Sequence, residues 1–354
     1  MNLLLAPWRG LVGFWTTPIR AEPLAAFRIL LGLAILANQL TGIGPNLAYY
    51  CGDEGICPAA AHDHWLSRSH RICVLRGPIN MPLLGQWLPD AWARAVPGLS
   101  SWVSDEQAQA WAAWGERPEN VRLLFGVYLG VLVLVTVGFC TRLSLLAAIV
   151  LAATFNNRVV EMMNGGDSLF RNGLYFLLLS PAGACWSVDR WLARRLGWVA
   201  DDGPVFIAPW SVRLMQIQLA VMYLFTGLVK LSDLHWDNGR LTGDWLDGEA
   251  LYWVMNDIAV TRWSYAQAPV PLALCRFLTW GTLIFEIGFW LFVLIRPLRL
   301  PVLLAGIALH LGIFLSMEIG WFSQITLCWY VLFASGDWLA SWVSRPAPKT
   351  SPAA

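Results

Sequence analysis

Nine ionisable side chains lie inside or at the ends of strongly apolar stretches, and Lys230 is the one placed for proton chemistry. It closes the run from Trp210 to Leu231 (WSVRLMQIQLAVMYLFTGLVKL), and Ser232, Asp233, Leu234, His235 and Trp236 follow. An amine at a bilayer boundary either snorkels to the headgroups or works as a base, because an apolar wall disfavours the charged form. Asp233, Trp236 and Asp237 follow closely enough to hold it.

The other charges are Arg28, Arg158, Glu161, Asp167, Arg171, Glu286, His310 and Glu318. A charge at membrane depth is costly unless it faces the bundle interior or a wet cavity, so each is either a structural group with a partner or part of a site. Arg28 and Glu286 read as a buried structural pair, as two separately hydrogen-bonded residues, or as cavity residues. Asp167 follows Asn164, Gly165 and Gly166, a turn signature, so it reads equally as a helix N-cap. His310 is either a satisfied core histidine or a catalytic one. Helical rise puts Arg158, Asp167, Lys230 and Glu318 near the outer boundary and Glu286 and His310 near mid-depth. This predicts a cavity open to the outer leaflet and closed below by Glu286 and His310.

The elements that must position these groups follow from composition. With 57% apolar residues, 13% charged residues and a mean hydropathy of +0.54, the chain is far more apolar than a soluble domain. Its long apolar runs predict an all-α fold: a polytopic transmembrane helical bundle of about eight spans. These run over 23–41, 120–139, 142–160, 168–185, 209–231, 274–295, 300–318 and 321–341. Arg9, Arg20, Arg142, Arg190, Arg194, Arg195, Arg296, Arg299, Arg345 and Lys349 all fall on one side if both termini are cytoplasmic, as the positive-inside rule favours. The expected location is therefore an integral-membrane one, in a bacterial inner membrane. Segments 42–118 and 232–273 then face outward, and stretches such as DAWARAVPGLSSWVSDEQAQAWAAW predict surface amphipathic helices on that outer face.

The 22 tryptophans suit interfacial belts. Nothing basic precedes the short apolar start, so the first hydrophobic segment reads as a retained anchor. We expect one transmembrane domain over 1–344 and a disordered Pro- and Ala-rich tail over 345–354. A formal charge of +1 without a basic face argues against nucleic acid and leaves membrane lipid as the evident partner.

Cys51 and Cys57, in YYCGDEGICP, read as a disulfide with Cys73 as a competitor, which would fit an oxidising exterior. Cys140, Cys185, Cys275 and Cys328 read as small apolar residues within or beside spans. His62, Asp63 and His64 are adjacent in sequence, a poor arrangement for converging on one ion, so no metal is expected.

Four ordered blocks carry a family resemblance. NNRVVEMMNGGDSLFRNGLYFLLLSPAGACWSVDR (156–190), YLFTGLVKLSDLHWDNG (223–239), FEIGFWLFV (285–293) and HLGIFLSMEIGWFS (310–323) resemble the HTTM membrane domain, whose members include the vitamin K-dependent γ-glutamyl carboxylases. FRILLGLAIL and YYCGDEGICP look like the first span and outer loop of that domain, so the likeness runs from about Pro23 to Trp338.

The resemblance implies an integral-membrane γ-carboxylase-like enzyme. Its cofactor would be reduced vitamin K or menaquinol, used with oxygen and, for carboxylation, carbon dioxide. Lys230 matches the lysine that in the carboxylases acts as base toward the quinol, starting an epoxidation that drives removal of a glutamate γ proton. A neutral lysine against an apolar wall suits that task. His310 matches a family histidine, and Trp236 and Gly239 match positions expected to shape the cavity mouth.

Two departures qualify the likeness. Where the carboxylases carry a histidine after an Asn-Asn pair, this chain has Arg158, and a permanent guanidinium cannot shuttle protons as imidazole does. No large lumenal domain follows the last span, so processive modification of a tagged protein is not expected. Epoxidation is thus favoured over carboxylation of a glutamate substrate. The alternative is a non-catalytic module for maturation, export or tolerance of a small secreted peptide, binding peptide or lipid in its outer-leaflet cavity. No inverted repeat or paired broken helices point to a transporter.

Overall fold

Long runs of Leu, Val, Ile and Phe with few breakers leave the backbone one economical way to satisfy its polar groups in lipid, which is helix. The computed structural model of the chain describes residues 12–51, 56, 73–75, 105–115, 117–158, 163–199, 203–264 and 266–343, and it is mostly helical. Cys57, His62, Asp63, His64, Glu161, most of the amphipathic stretch before Asp105 and the tail lie outside the described residues. So does the expected Cys51–Cys57 bridge, since one of its two residues does.

In chain order the helices are α1 (Glu22–Asn38), α2 (Leu47–Cys51), α3 (Asp105–Gly115), α4 (Pro118–Val137), α5 (Thr141–Arg158), α6 (Gly165–Leu179) and α7 (Val188–Arg195). They continue as α8 (Trp210–Val229), α9 (Ala250–Asn256), α10 (Leu272–Phe292), α11 (Arg296–Ser316), α12 (Phe322–Tyr330) and α13 (Gly336–Val343). Among the described residues four short strands pair in twos, β1 (Ile19–Arg20) with β2 (Phe206–Ile207) and β3 (His235–Asp237) with β4 (Arg240–Thr242).

Among the described residues, five helical segments are long and apolar enough to cross a membrane: Glu22–Cys51, Pro118–Val137, Trp210–Val229, Leu272–Phe292 and Arg296–Ser316. The other three predicted segments also carry helices, but they differ in character. α5 ends in Thr154, Asn156, Asn157 and Arg158, all buried. α6 is only 15 residues long, and α12 tightens into a 3-10 turn at Val331–Phe333. On the long helices Phe225, Ile284, Leu304 and Leu315 stand exposed, the pattern of side chains whose solvent is lipid.

The chain divides into two compact units, one of residues 28–201 and the other of residues 1–27 with 202–354. The first is built on the α4–α5–α6 run. Gly138 ends α4 in the left-handed region at φ 71°, and Asp189 then caps α5 by accepting from the amides of Cys140 at 2.7 Å and Thr141 at 2.8 Å. Tyr128 stacks on Phe155 at 5.7 Å in its core.

In the second unit α8 packs along α10, and α10 to α12 complete the group around Tyr223, Phe285, Phe289 and Trp329. Gly227 sets the closeness of α8 and α10: a Cβ there would lie 2.8 Å from the Ile287 side chain and 3.1 Å from Glu286 Cβ. The segment after α8 makes the β3–β4 hairpin, whose Asn238–Gly239 turn has φ of 49° and 79°, the two positive values of a type I′ turn.

Candidate functional site

α8 delivers Lys230 as its C-cap residue, directly after the last helical turn. The nitrogen meets Glu286 of α10, at 3.0 Å from Oε1 and 2.7 Å from Oε2. The ring of Trp245 covers it from another side, its centroid 4.9 Å from Nζ. The lysine and glutamate side chains are only 22% and 10% exposed, so the pair is largely removed from solvent and interacts more strongly than a surface pair would.

The contacts of the lysine are with Glu286 and Trp245, and two of its expected holders are placed otherwise. Asp233 accepts from the amide of Asp244 at 2.8 Å, and Trp236 sits on β3 with 74% of its surface exposed. The indole that faces the lysine is therefore Trp245. Nor do Arg28 and Glu286 pair: Glu286 is matched with Lys230, and Arg28 donates to the carbonyls of Ala182 at 2.5 Å, Cys185 at 3.4 Å and Trp186.

One helical face joins Lys230 to a second centre. Tyr223 lies seven residues earlier on α8, two turns and about 10 Å along the axis. Its hydroxyl contacts His310 Nε2 at 2.6 Å and the Tyr330 hydroxyl at 2.7 Å, which brings α8, α11 and α12 together at one buried point. Gly306, one turn before His310, makes room: a Cβ there would collide with Tyr330 Oη. Phe285 packs edge-on to Tyr223 at 5.2 Å, Phe289 lies at 4.7 Å, and Phe322 borders His310 at 5.6 Å. Glu286 directly follows Phe285, whose ring packs on Tyr223, so α8 and α10 border both centres.

The contacts also set the relative levels of these groups along the helices. The first half of α10 lies against the segment after β4, with Trp280 donating to the Leu246 carbonyl at 2.9 Å and Thr279 accepting from the Leu251 amide at 3.2 Å. Glu286 and Lys230 meet at one level of the α8–α10 pair, and His310, joined to Tyr223 two turns back along α8, lies at another.

The remaining expected residues lie in the unit of 28–201. Arg28 is fully buried, and its carbonyl partners fix the loop after α6. Asp167 completes a capping box: Asn164 Oδ1 accepts from the Gly166 amide at 2.7 Å, and Asp167 Oδ2 accepts from the Asn164 amide at 2.9 Å. The N-cap is thus Asn164, with Asp167 as its reciprocal partner. Arg158 closes α5 and is 1% exposed. Gln39 and Tyr128 are buried there too, with the amide and hydroxyl unpartnered. A cavity of about 470 Å³ in this unit opens at the opposite end of α5 and α6, lined by Cys140, Thr141, Ser180, Ala182 and Asp189.

Tyr223, Tyr330, Trp245, Gly227 and Gly306 were missed by sequence reasoning. The i, i+7 spacing from Lys230 was a usable signal for Tyr223 alone.

The family model of the HTTM domain matches residues 113–338, a stretch that contains Lys230, Glu286, His310, Tyr223 and Tyr330. No curated protein and no solved structure matches the chain.

Proposed function

The chain belongs to the HTTM domain family, and from this premise we propose that it is an integral-membrane, vitamin K-dependent γ-carboxylase-like enzyme that oxidises a reduced naphthoquinone by epoxidation. In this reading about eight segments span a bacterial inner membrane, both termini are cytoplasmic, and Lys230 works at the outer boundary. The observation that carries it is the Lys230–Glu286 pair, a base and a proton acceptor in contact and sheltered from water.

A hydroxylated ring fits the residues present. The sheltered pair offers a proton acceptor, and the buried, unpartnered Nδ1 of His310 offers a second polar contact within the same aromatic wall. When bound, the quinol supplies an acidic hydroxyl and, with oxygen, the oxidising equivalents; carbon dioxide would be needed for any carboxylation.

The pair modifies the role expected of a neutral lysine. Because Lys230 and Glu286 are in direct contact, the nitrogen gains a lone pair by passing a proton to the carboxylate. As the quinol O–H bond breaks, a new N–H bond forms on Lys230 while one of its own hydrogens moves to Glu286. The pair ends as ammonium and carboxylic acid, one positive charge facing the negative charge left on the substrate. Nothing needs to reach bulk water in this step, which suits an aromatic enclosure.

The test is epoxide formation by purified protein in lipid nanodiscs with reduced naphthoquinone and oxygen. Lys230→Ala is expected to lose about 10²-fold to 10⁴-fold in turnover per folded molecule, the usual worth of a positioned base, beyond the fall in unfolding temperature that an unpaired Glu286 brings. Full activity in Lys230→Ala sinks the proposal.

One observation favours the second reading, a module for maturation, export or tolerance of a small secreted peptide. Arg158 is buried where the carboxylases carry a histidine, and a fixed cation suits binding a carboxylate better than moving a proton. Loss of a peptide's stability on Arg158→Gln, with no quinone turnover in the wild type, would select it.

A further inference from the structure

The Tyr223–His310–Tyr330 centre has one hydrogen too many. A neutral imidazole carries one N–H and each tyrosine one O–H, so the three groups hold three donors. Only two contacts join them, His310 Nε2 to Tyr223 and Tyr223 to Tyr330. However the hydrogens are arranged, one is left without an acceptor inside the centre. The three residues are 1% to 7% exposed, so solvent does not readily supply it, and an unmade buried hydrogen bond is unfavourable.

The position of the surplus follows from which atom has no partner. That atom is His310 Nδ1. If Tyr330 donates to Tyr223 and Tyr223 donates to Nε2, both contacts are made and the spare hydrogen sits on Nδ1. The reverse arrangement strands a tyrosine O–H and leaves Nδ1 as a bare acceptor, two defects in place of one. The hydroxyl relay therefore selects the Nδ1–H tautomer, and the ring packing of Phe322 and Tyr330 fixes its plane.

We infer that His310 Nδ1–H is a substrate-binding donor for a ring oxygen, and that Tyr223 and Tyr330 are positioning residues that hold it in the donating tautomer. This rests on the quinone reading of the same site and assigns the ligand's two polar ends: one oxygen faces Lys230–Glu286, and the other accepts from His310. The ligand class is a flat apolar ring with acceptor oxygens on opposite edges, which suits the aromatic surroundings that Tyr223, Phe285 and Phe289 make by packing on one another.

The experiment compares binding of oxidised naphthoquinone and of naphthalene, which lacks the oxygens, to the full chain in nanodiscs by calorimetry. His310→Gln keeps an acceptor near the Nε2 position and removes the Nδ1 donor. It is expected to weaken naphthoquinone about tenfold, the worth of one hydrogen bond of ~1.4 kcal/mol, and to leave naphthalene unchanged. Tyr223→Phe is followed by nitrogen NMR of labelled histidine, with His310 assigned by difference against His310→Gln. It should turn one tautomer into a mixture and weaken naphthoquinone severalfold.

Equal naphthoquinone binding by wild type and His310→Gln overturns the inference while the enzyme reading stands. Loss of naphthoquinone and naphthalene together means His310 is packing, and also overturns it. Failure of the wild type to bind naphthoquinone overturns both.

Discussion

Both units bury charge, yet they use it differently. In the unit of 28–201, Arg28 gives its hydrogens to backbone carbonyls and Asp167 gives its lone pairs to a helix N-terminus. These partners cannot change protonation state, so the charges are locked into architecture. In the other unit Lys230 faces a carboxylate, and His310 meets the hydroxyl of Tyr223, which in turn meets that of Tyr330. There every partner can itself give or take a proton. Burial alone therefore does not mark a site in a membrane bundle; burial against a second titratable group does.

The widest separation between the two kinds of charge should come from Arg28→Ala. It strips three carbonyls of the loop after α6 of a charged donor and leaves them buried. At about 1.5–3 kcal/mol for each hydrogen bond to a charged group, partly recovered by relaxation, the cost is about 3 kcal/mol or more. Thermal unfolding in detergent should show it, while turnover per folded molecule stays near wild type. A stable Arg28→Ala with lost turnover would reverse the comparison.

Glu286→Gln probes the other side. The amide keeps shape and one hydrogen bond to Lys230 but cannot receive the relayed proton. Turnover should fall about 10²-fold, equivalent to ~2.7 kcal/mol of barrier, with the unfolding temperature little changed. Retained turnover would make Lys230 a lone base and Glu286 a structural counter-charge, erasing the difference between the units.

The sequence exposes the charged half of this arrangement and hides the neutral half. Lys230, Glu286 and His310 are legible because each interrupts an apolar run. Tyr223 and Tyr330 interrupt nothing, since an uncharged aromatic ring blends into apolar runs in a chain with 13% aromatic residues. Partner choice was misread for a related reason. Asp233 is three residues from Lys230, whereas Glu286 is 56 away, and only the close α8–α10 approach at Gly227 brings it in.

Helix positions were legible from hydropathy, but fitness to span was not uniform. α5 spends its last turn on Asn156, Asn157 and Arg158, which are buried within its unit, so its composition understates its place in the bundle. The capping of α6 was half legible: the Asn-Gly-Gly-Asp run signals a helix start, but which residue is the cap depends on backbone angles, with Asn164 extended at φ −120°. Asn164→Ala should accordingly cost about 1 kcal/mol, read as a small fall in unfolding temperature with no change in quinone turnover. A turnover loss exceeding the stability loss would draw Asp167 out of the architectural class.

The smallest expected effect is a pH dependence of the β3–β4 hairpin. Asp247 accepts from Thr242 Oγ1, from the Gly243 amide at 3.1 Å and from Arg240 at 2.8 Å, and the threonine contact leads in holding its carboxyl below the usual carboxylate range. A depressed folded-state value means the unfolded chain binds the proton more readily, so the carboxylate supports the hairpin above the ordinary pKa of about 3.9. That support is lost as pH falls below it toward the folded-state value. Trp236 rides on this hairpin, so its fluorescence, read against a Trp236→Phe background, should change only at such acid pH. In Asp247→Asn the change should vanish. A transition near neutral pH would instead tie the hairpin to the Lys230–Glu286 pair, and the titratable centre would then extend to a surface that its own contacts mark as architectural.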